Sequence, residues 1–325
     1  MKIAVLYQAH EPPAAGGLRK PMKPGGYRDS GADIAYCLRE HGTEVITPTA
    51  KPDLYNDLDW VFPDTVQGIR AALAAGADTL WLNTVLYAGH PIEQFTDIYI
   101  VGQRPSDAAR YDDKFAVNAA LLERGFPVVQ SQTIRADELY GGPFPCILKP
   151  IRGRGSQGVV RCGTPIDFAE NRDSLLSAGI YGDMLMAEPY LPGQEITVSI
   201  FSDGTSLPIV ERFAQKSGIA PYNGDVPVTE NSRAVLRETE ALHTIRQACE
   251  QAVRALELKG LVRIDCRAAA DGTYYMFDFN LKPNLTGAAR PHRINQNCLT
   301  MISAEAQGWT YFDLLRAMLD NRWQL

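Results

Sequence analysis

Residues 261–280, LVRIDCRAAADGTYYMFDFN, hold two runs of alternating apolar and polar side chains on either side of Asp271-Gly272. Asp-Gly is a favoured centre for a two-residue β-hairpin turn, so this stretch predicts two paired antiparallel strands. A two-residue turn there would place Asp265 directly opposite Asp278. Because successive side chains of a strand point to opposite faces, both carboxylates are predicted to lie on one face of the hairpin.

The same register places Arg263 opposite Asn280, on the face that carries Asp265 and Asp278. The other face is predicted to pack in the core, and it carries Val262, Ile264, Cys266, Tyr275, Phe277 and Phe279. Opposed side chains have Cβ atoms only ~4.5–5.5 Å apart, so two carboxylates there repel each other. Two carboxylates and the Asn280 amide oxygen suit Mg²⁺, which usually shares its ligands with phosphates, so a nucleotide is implied. The alternative is a solvated face on which Asp265 pairs with Arg263 or Arg267.

A glycine-rich segment lies upstream of the hairpin. Residues 153–160, GRGSQGVV, match G-x-G-x-x-G, a loop whose backbone N–H groups can approach phosphate oxygens. A dinucleotide-binding fold needs this loop to open a helix, but residues 159–162 continue as a strand. A protein kinase places its lysine after the loop, whereas Lys149 precedes it. Both interpretations fail. The pattern that remains is a strand ending at Lys149, followed by a glycine hairpin that can cover a polyphosphate.

Composition limits the possible functions. The chain has 325 residues, of which 45% are hydrophobic and 22% are charged, as in ordinary globular proteins. The formal net charge of −6 argues against nucleic acid as a partner. The six cysteines show no C-x-x-C pair and are interpreted as reduced thiols. No apolar run approaches the ~18–20 residues that a bilayer crossing requires, so we expect no membrane partner and a cytoplasmic location.

Strand and helix patterns alternate over the first hundred residues and predict an α/β fold with an open parallel sheet. The first strand pattern covers residues 3–7, and the helix after it is expected to start at a cap formed by Asp29 or Ser30. A long helix is predicted over residues 232–256, before the hairpin, and two helices are predicted after it. Boundaries near residues 104 and 190 divide the chain into three predicted domains.

These motifs, in this order, resemble the ATP-grasp superfamily and specifically its D-alanine–D-alanine ligase branch. The resemblance runs from about residue 98 to the C-terminus, and it is weaker before that point. It implies a Rossmann-like N-terminal domain over residues 1–104. It also implies a central ATP-grasp lid subdomain with the glycine loop over residues 105–189, and a C-terminal subdomain with the metal hairpin over residues 190–325. The last two would clamp ATP between them.

The resemblance implies ATP and Mg²⁺, the latter as two ions, and it assigns residues to both. The ATP-binding residues would be Lys114, Lys149, Ser156, Glu188, Pro189, Leu191, Glu195 and Lys216. Among these, the backbone of Pro189 and Leu191 would meet adenine, Glu195 would meet the ribose hydroxyls, and Lys216 the γ-phosphate. Arg263 would stabilise the oxyanion, and the metal ligands would be Asp265, Asp278 and Asn280. The family usually has glutamate in place of Asp278.

The segment after the metal asparagine departs from the family pattern. Asn284 replaces a glycine whose N–H helps form the oxyanion hole, and Ala289 replaces a serine that binds the second substrate's carboxylate. The predicted substrate contacts are Asn284, Arg290, His292 and Arg293, with Arg290 and Arg293 as a carboxylate clamp; the alternative is that they are packing or surface residues. The N-terminal loop, which in the family offers a glutamate to the first substrate's amine, is replaced by residues 10–23. The family's early His-Gly segment is replaced by residues 83–91.

The resemblance implies a two-step reaction, in which a substrate carboxylate is phosphorylated by ATP and an amine then displaces the phosphate. The leading hypothesis is a carboxylate–amine ligase that acts on a small amino-acid-like or dipeptide substrate, in natural-product biosynthesis rather than in cell-wall D-alanyl-D-alanine synthesis. The alternatives are a ring-forming lactam ligase, a non-catalytic nucleotide-binding protein, and a kinase or carboxylase that diverts the acyl phosphate. Related ligases are commonly dimers, so a homodimer is also expected.

Overall fold

The computed structural model describes residues 1–14, 22–153, 156–221 and 226–325. Within these ranges the strands are β1 (Lys2–Tyr7), β2 (Glu44–Val45), β3 (Phe62–Pro63), β4 (Thr79–Asn83), β5 (Tyr99–Val101), β6 (Gln132–Ile134), β7 (Cys146–Pro150), β8 (Val160–Cys162), β9 (Leu185–Pro189), β10 (Glu195–Ile200), β11 (Val210–Arg212), β12 (Ser232–Ala234), β13 (Val262–Ala268), β14 (Tyr274–Asn280) and β15 (Trp323–Gln324). The α-helices are α1 (Arg28–Glu40), α2 (Val66–Ala74), α3 (Pro105–Tyr111), α4 (Lys114–Leu122), α5 (Pro165–Ser177), α6 (Val228–Asn231), α7 (Glu240–Ala255), α8 (Leu299–Ala306) and α9 (Tyr311–Asp320). None of them combines the length and the apolar character that a bilayer crossing requires.

The first sheet has the order β15-β5-β4-β1-β2, and β3 also pairs with β1. Strands β1 to β5 pair in parallel, as the alternating pattern predicts, and only β15 is antiparallel. Helix α1 begins at Arg28 and its N-cap is Tyr27, two residues before Asp29 and three before Ser30, and no side chain caps it. Since β15 comes from the end of the chain, the predicted segment 190–325 also contributes to this first sheet. The domain boundaries themselves stay predictions.

The other two sheets are antiparallel, with the orders β6-β9-β7-β8 and β12-β11-β10-β13-β14. Helix α7 covers the second of these with Leu242, Ile245 and Cys249. The helix predicted over residues 232–256 begins later than predicted, at Glu240. The hydroxyl of Thr239 accepts a hydrogen bond from the Leu242 N–H and caps the helix there, while residues 232–234 form β12.

The hairpin of β13 and β14 keeps the predicted pairing of Asp265 with Asp278, although its turn is longer than expected. The Ala269 N–H donates to Thr273 O, so the loop has three residues and ends at Gly272, whose φ is 86°. That turn would shift the register by one residue. A β-bulge at Phe277 shifts it back, because Cys266 pairs with Met276 while Asp265 pairs with Asp278.

The bulge changes which side chains of β14 enter the core. Tyr274 and Met276 are buried in the cluster beneath α7 together with Phe279. Tyr275 and Phe277 are only half-buried, so the prediction that they belong to the core is wrong. The physical reason is the extra residue, which reverses the alternation of side chains between the turn and the bulge.

A buried ion-pair network joins the loop after β14 to α1. The Arg290 side chain is 0% exposed, and its Nε donates to Asp33 Oδ1 at 2.8 Å while its Nη1 lies 2.7 Å from Asp57 Oδ1. Two further N–H groups of Arg290 donate to the carbonyls of Leu54 and Asp29. The prediction that Arg290 grips a substrate carboxylate is therefore wrong, because its guanidinium is enclosed and already bound.

We expect Arg290→Ala to destabilise the protein by about 3–5 kcal/mol, because it leaves the Asp33 carboxylate buried without its partner. Urea-induced unfolding measures the change in the free energy of unfolding. The matched control is Arg316→Ala, which removes an exposed arginine paired with Asp313 and should cost no more than about 1 kcal/mol. Similar small losses in both variants would contradict the structural role of Arg290.

Candidate active site

A cleft with about 820 Å³ of empty space lies between the sheet of β7 and β9 and the sheet of β10, β13 and β14. Every residue predicted to bind ATP lines this cleft except Lys216. The predicted residues that line it are Lys114, Lys149, Ser156, Glu188, Pro189, Leu191, Glu195, Asp265 and Asp278. Those outside its lining are Lys216, Arg263, Asn280, Asn284, Arg290, His292 and Arg293.

One wall carries a buried ion pair. Lys149 on β7 donates from Nζ to Glu188 Oε1 on β9 at 2.6 Å, and both side chains are 4% exposed. Lys149 also donates to the carbonyl of Phe277 at 3.1 Å. Burial raises the pKa of Glu188, and the charge of Lys149 opposes that shift. Among the described residues, Glu188 Oε2 is buried and accepts no hydrogen bond, so it is left for a donor in the cleft.

The opposite wall carries the two aspartates of the hairpin, each paired with a cation. Lys114, the first residue of α4, contacts Asp278 through its Nζ. Burial opposes ionisation of Asp278, but the charges of Lys114 and Lys149 outweigh it and hold its pKa below the usual range. Arg263 donates to Asp265, with Nε 3.2 Å from Oδ1. This is the pairing of the alternative hypothesis, but Arg263 and Asp265 are buried rather than on a solvated face.

The predicted metal ligands comprise two carboxylates and one amide. Within the described ranges, no three His, Cys, Asp or Glu side chains group closely enough to hold a metal. Asn280 follows Asp278 on the same strand, and its Oδ1 accepts the backbone N–H of Lys282 at 3.2 Å. The donor set is oxygen only, which fits Mg²⁺ with its remaining positions filled by water and phosphate.

Arg267 is a residue of the cleft to which the sequence prediction gives no role beyond a pairing with Asp265. Its Nη1 lies 3.4 Å from Glu195 Oε2 and donates to Gly218 O at 2.6 Å, and its Nη2 donates to Gln215 Oε1 at 2.6 Å. It therefore ties the loop after β11 to β10. The alternation of β13 could have revealed it, because Arg263, Asp265 and Arg267 share one face.

Glu195 lies 3.6 Å from Arg212 as well as close to Arg267, and it accepts from Gln215 Nε2 at 2.8 Å. Burial raises its pKa to about 7 in spite of the two arginines. A carboxylate whose pKa lies near neutrality within a cleft is typical of a binding or catalytic site.

Two residues predicted to contact phosphate, Ser156 and Lys216, are exposed. Ser156 is exposed on the cleft with φ 62°, whereas Arg154 and Gly155 of the predicted glycine loop lie outside the described residues. Lys216 is exposed at the start of a tight turn in which its N–H donates to Ile219 O. Its role at the γ-phosphate stays a prediction.

The predicted substrate contacts form a separate group near α1. Arg293 pairs with Asp33 at 2.6 Å, so a carboxylate clamp made by Arg290 and Arg293 is contradicted: aspartates of this chain occupy both guanidiniums. The His292 ring packs on Tyr55, with centroids 4.7 Å apart. Asn284 is exposed and accepts from the N–H and hydroxyl of Thr286. For His292 and Asn284, substrate contact stays a prediction.

Solved structures with the same architecture include two ligases. The D-alanine–D-alanine ligase of Bacillus anthracis complexed with ATP superposes with a TM-score of 0.70 and 18% identity, covering 99% of this chain and 97% of that one. The VanG D-Ala:D-Ser ligase of Enterococcus faecalis gives a TM-score of 0.63 at 14% identity, covering 98% of each chain. The fold, with a cleft between two antiparallel sheets, is that of an ATP-grasp protein.

The family follows from the sequence comparisons. The model described as "D-ala D-ala ligase C-terminus" matches residues 118–320. The D-alanine–D-alanine ligase of Novosphingobium aromaticivorans is 30% identical over 224 residues, which are 64% of this chain and 66% of that ligase. That of Acidiphilium cryptum is 26% identical, covering 79% and 83%. The matches span between half and two thirds of the length of the first relatives. The chain belongs to the D-alanine–D-alanine ligase family.

We expect Lys149→Ala to destabilise the protein by about 3–5 kcal/mol without added nucleotide, because the Glu188 carboxylate is left buried and unpaired. The double variant Lys149→Ala/Glu188→Gln should regain most of that loss, since the uncompensated charge is gone. Urea-induced unfolding of both variants measures this. Lys216→Ala, at an exposed lysine of the same site, serves as the control, and equal effects at positions 149 and 216 would contradict the buried pair.

Proposed function

We propose that the protein is an ATP-dependent ligase that joins a carboxylate to an amine through an acyl phosphate and releases ADP. The observation that carries the proposal is the convergence of Lys114 and Lys149 with the opposed carboxylates Asp265 and Asp278 in one cleft. Cations that neutralise phosphate oxygens, facing a pair of carboxylates for Mg²⁺, are what phosphoryl transfer requires of a protein.

The nucleotide would lie with its base against the strand end at 188–191. Glu188 Oε2 is a buried acceptor without a partner among the described residues, which suits the exocyclic amine of adenine. The backbone of Pro189 and Leu191 lines the same end of the cleft. Glu195 would accept the ribose hydroxyls. Lys114, Lys149, Ser156 and Lys216 would hold the phosphates.

Asp265, Asp278 and Asn280 would hold Mg²⁺ through oxygen ligands, and we propose two ions, as the resemblance to the ATP-grasp ligases implies. Bound there, Mg²⁺ would neutralise charge on the phosphate oxygens. Lys114 would exchange its contact with Asp278 for the phosphates. Arg263, beside the Asp265 carboxylate, would donate hydrogen bonds to the oxygen that becomes negative when an amine attacks the acyl phosphate.

In the first step a carboxylate oxygen of the substrate attacks the γ-phosphorus, and the bond to the β-phosphate oxygen breaks to release ADP. In the second step an amine attacks the acyl carbon, and inorganic phosphate leaves as the amide forms. The amine loses a proton in this step. Positioning and charge neutralisation are the protein's contribution, so no nucleophilic side chain is needed.

We propose a small amino-acid-like or dipeptide substrate and a role in natural-product assembly rather than in cell-wall synthesis. The support is the altered acceptor side, where Asn284 and Ala289 replace the glycine and serine that the related ligases use. Release of ADP and phosphate, measured against a panel of amino acids and dipeptides with mass analysis of the products, tests this. Efficient formation of D-alanyl-D-alanine would contradict it.

We expect Asp265→Asn to lower the turnover of Mg²⁺-ATP by at least ~100-fold, which is the scale of losing one electrostatic group at a reacting centre. The fold should persist, because the change relieves repulsion between opposed carboxylates. The matched control is Asp271→Asn at the exposed turn of the same hairpin. Normal turnover of the Asp265→Asn variant at limiting Mg²⁺ would contradict the assignment of Asp265 as a metal ligand.

We expect nucleotide affinity to rise by roughly tenfold from pH 6 to pH 8 and then to level off. The pKa of Glu195 is raised to about 7, so most of it is protonated at pH 6. Hydrogen bonds from ribose stabilise the ionised form and lower its pKa on binding, so affinity is lost as pH falls below 7. Calorimetry with a non-hydrolysable ATP analogue measures this. The Glu195→Gln variant should lack this component of the pH dependence, and an identical profile would contradict it.

A further inference from the structure

The first sheet contains a topological switch point. Strand β1 has β4 on one side and β2 on the other, and its chain continues to β2 through α1. The carboxyl ends of β1 and β4 therefore border the point where the strand order reverses, which is where open α/β sheets bind ligands. Tyr7 and Asn83 are the last residues of these strands, and they pair in register, so both side chains are on the face that α1 covers.

Lys282 reaches this point from the loop after β14. Its Nζ lies 3.2 Å from Asn83 Oδ1 and 3.6 Å from the centre of the Tyr27 ring. The Asn83 side chain is fixed, because its Nδ2 donates to Tyr27 O at 2.9 Å and to Ser30 Oγ at 3.1 Å. Lys282 and Tyr27 are only half-buried, so the protein does not enclose this contact completely.

The surroundings of Lys282 favour an anion. Helix α1 has 13 residues and starts beside Tyr27 without a side-chain cap, so its positive end lies at the same place as the lysine. Asp29, in the first turn, is already paired with Arg293 at 3.3 Å. The positive charges of Lys282 and of the helix end therefore lie together at this point of the sheet.

We propose that Lys282, held by Asn83 and Tyr27, binds a second anionic group of the carboxylate substrate. The substrate is then a small dicarboxylate, such as an acidic amino acid. This inference rests on the proposed function, which places the phosphorylated carboxylate near Asp265 and Asp278. Lys282 follows Asn280 by two residues, or about 7 Å of extended chain, and that is a short enough step for one small molecule to contact both regions.

Calorimetry on the full chain tests the inference, with and without a non-hydrolysable Mg²⁺-ATP analogue. The probes are both enantiomers of aspartate and glutamate, each compared with the matching enantiomer of asparagine or glutamine. We expect at least one acid to bind about 10- to 100-fold more tightly than its amide, on the scale of a hydrogen bond to a charged group. Lys282→Met should abolish this preference and Lys282→Arg should keep part of it, while the exposed-site control Lys51→Met should leave it unchanged.

The outcomes separate this inference from the proposed function, which ADP release tests. A preference for an acid that depends on Lys282, found without ADP formation, supports the binding site and overturns the ligase. ADP formation with neutral amino acids that Lys282→Met does not alter supports the ligase and overturns the binding site. Equal binding of every acid and its amide, or no binding of any acid, also overturns the site.

Discussion

The structure depends on two like charges held face to face. Asp265 and Asp278 are directly paired across β13 and β14 on the face that lines the cleft. Such a pair is stable in the ionised form only with cations close by. Lys114 supplies one from the start of α4, and Arg263 supplies the other from β13 itself. Helix α4 is packed against the hairpin core through Val117 and Leu121, so the charge requirement and the apolar packing place the same helix.

The β-bulge connects the hairpin of β13 and β14 to the sheet of β6, β9, β7 and β8. A bulged residue is left out of the strand ladder, which leaves the Phe277 carbonyl for Lys149, and Lys149 in turn pairs with Glu188. Both walls of the cleft are thus joined through one lysine. A similar pairing of acid with base recurs at Glu195 between Arg212 and Arg267. Buried pairs of this kind gain little net stability, because desolvation offsets their attraction. Their concentration in one cleft is consistent with the proposed nucleotide and Mg²⁺ site, because such pairs are not explained by a gain in stability.

The sequence predicted the opposed aspartates through an argument that was partly wrong. The favoured Asp-Gly turn suggested two loop residues, but the loop has three, and the bulge at Phe277 compensates one shift with another. The pairing of Asp265 with Asp278 is held against their repulsion by nearby cations and by core packing, whereas the turn is exposed. Arg290 shows the opposite case. Its place beside the hairpin suggested a ligand contact, and its actual partner, Asp33, is 257 residues away in sequence, where no spacing rule reaches.

Lys282, Arg290 and Arg293 of the loop after β14 all contact α1 or β4, and burial distinguishes the roles of Lys282 and Arg290. Arg290 and Asp33 are both 0% exposed, so this pair is closed to any ligand and acts as an anchor. Lys282, eight residues earlier, contacts an amide and an aromatic ring at the half-buried edge of the same interface. A half-buried ammonium group can donate hydrogen bonds to an anionic ligand, whereas an enclosed guanidinium that is bound to carboxylates is closed to one. The anchor fixes where the loop meets α1, and the lysine then sets the charge that the crevice presents.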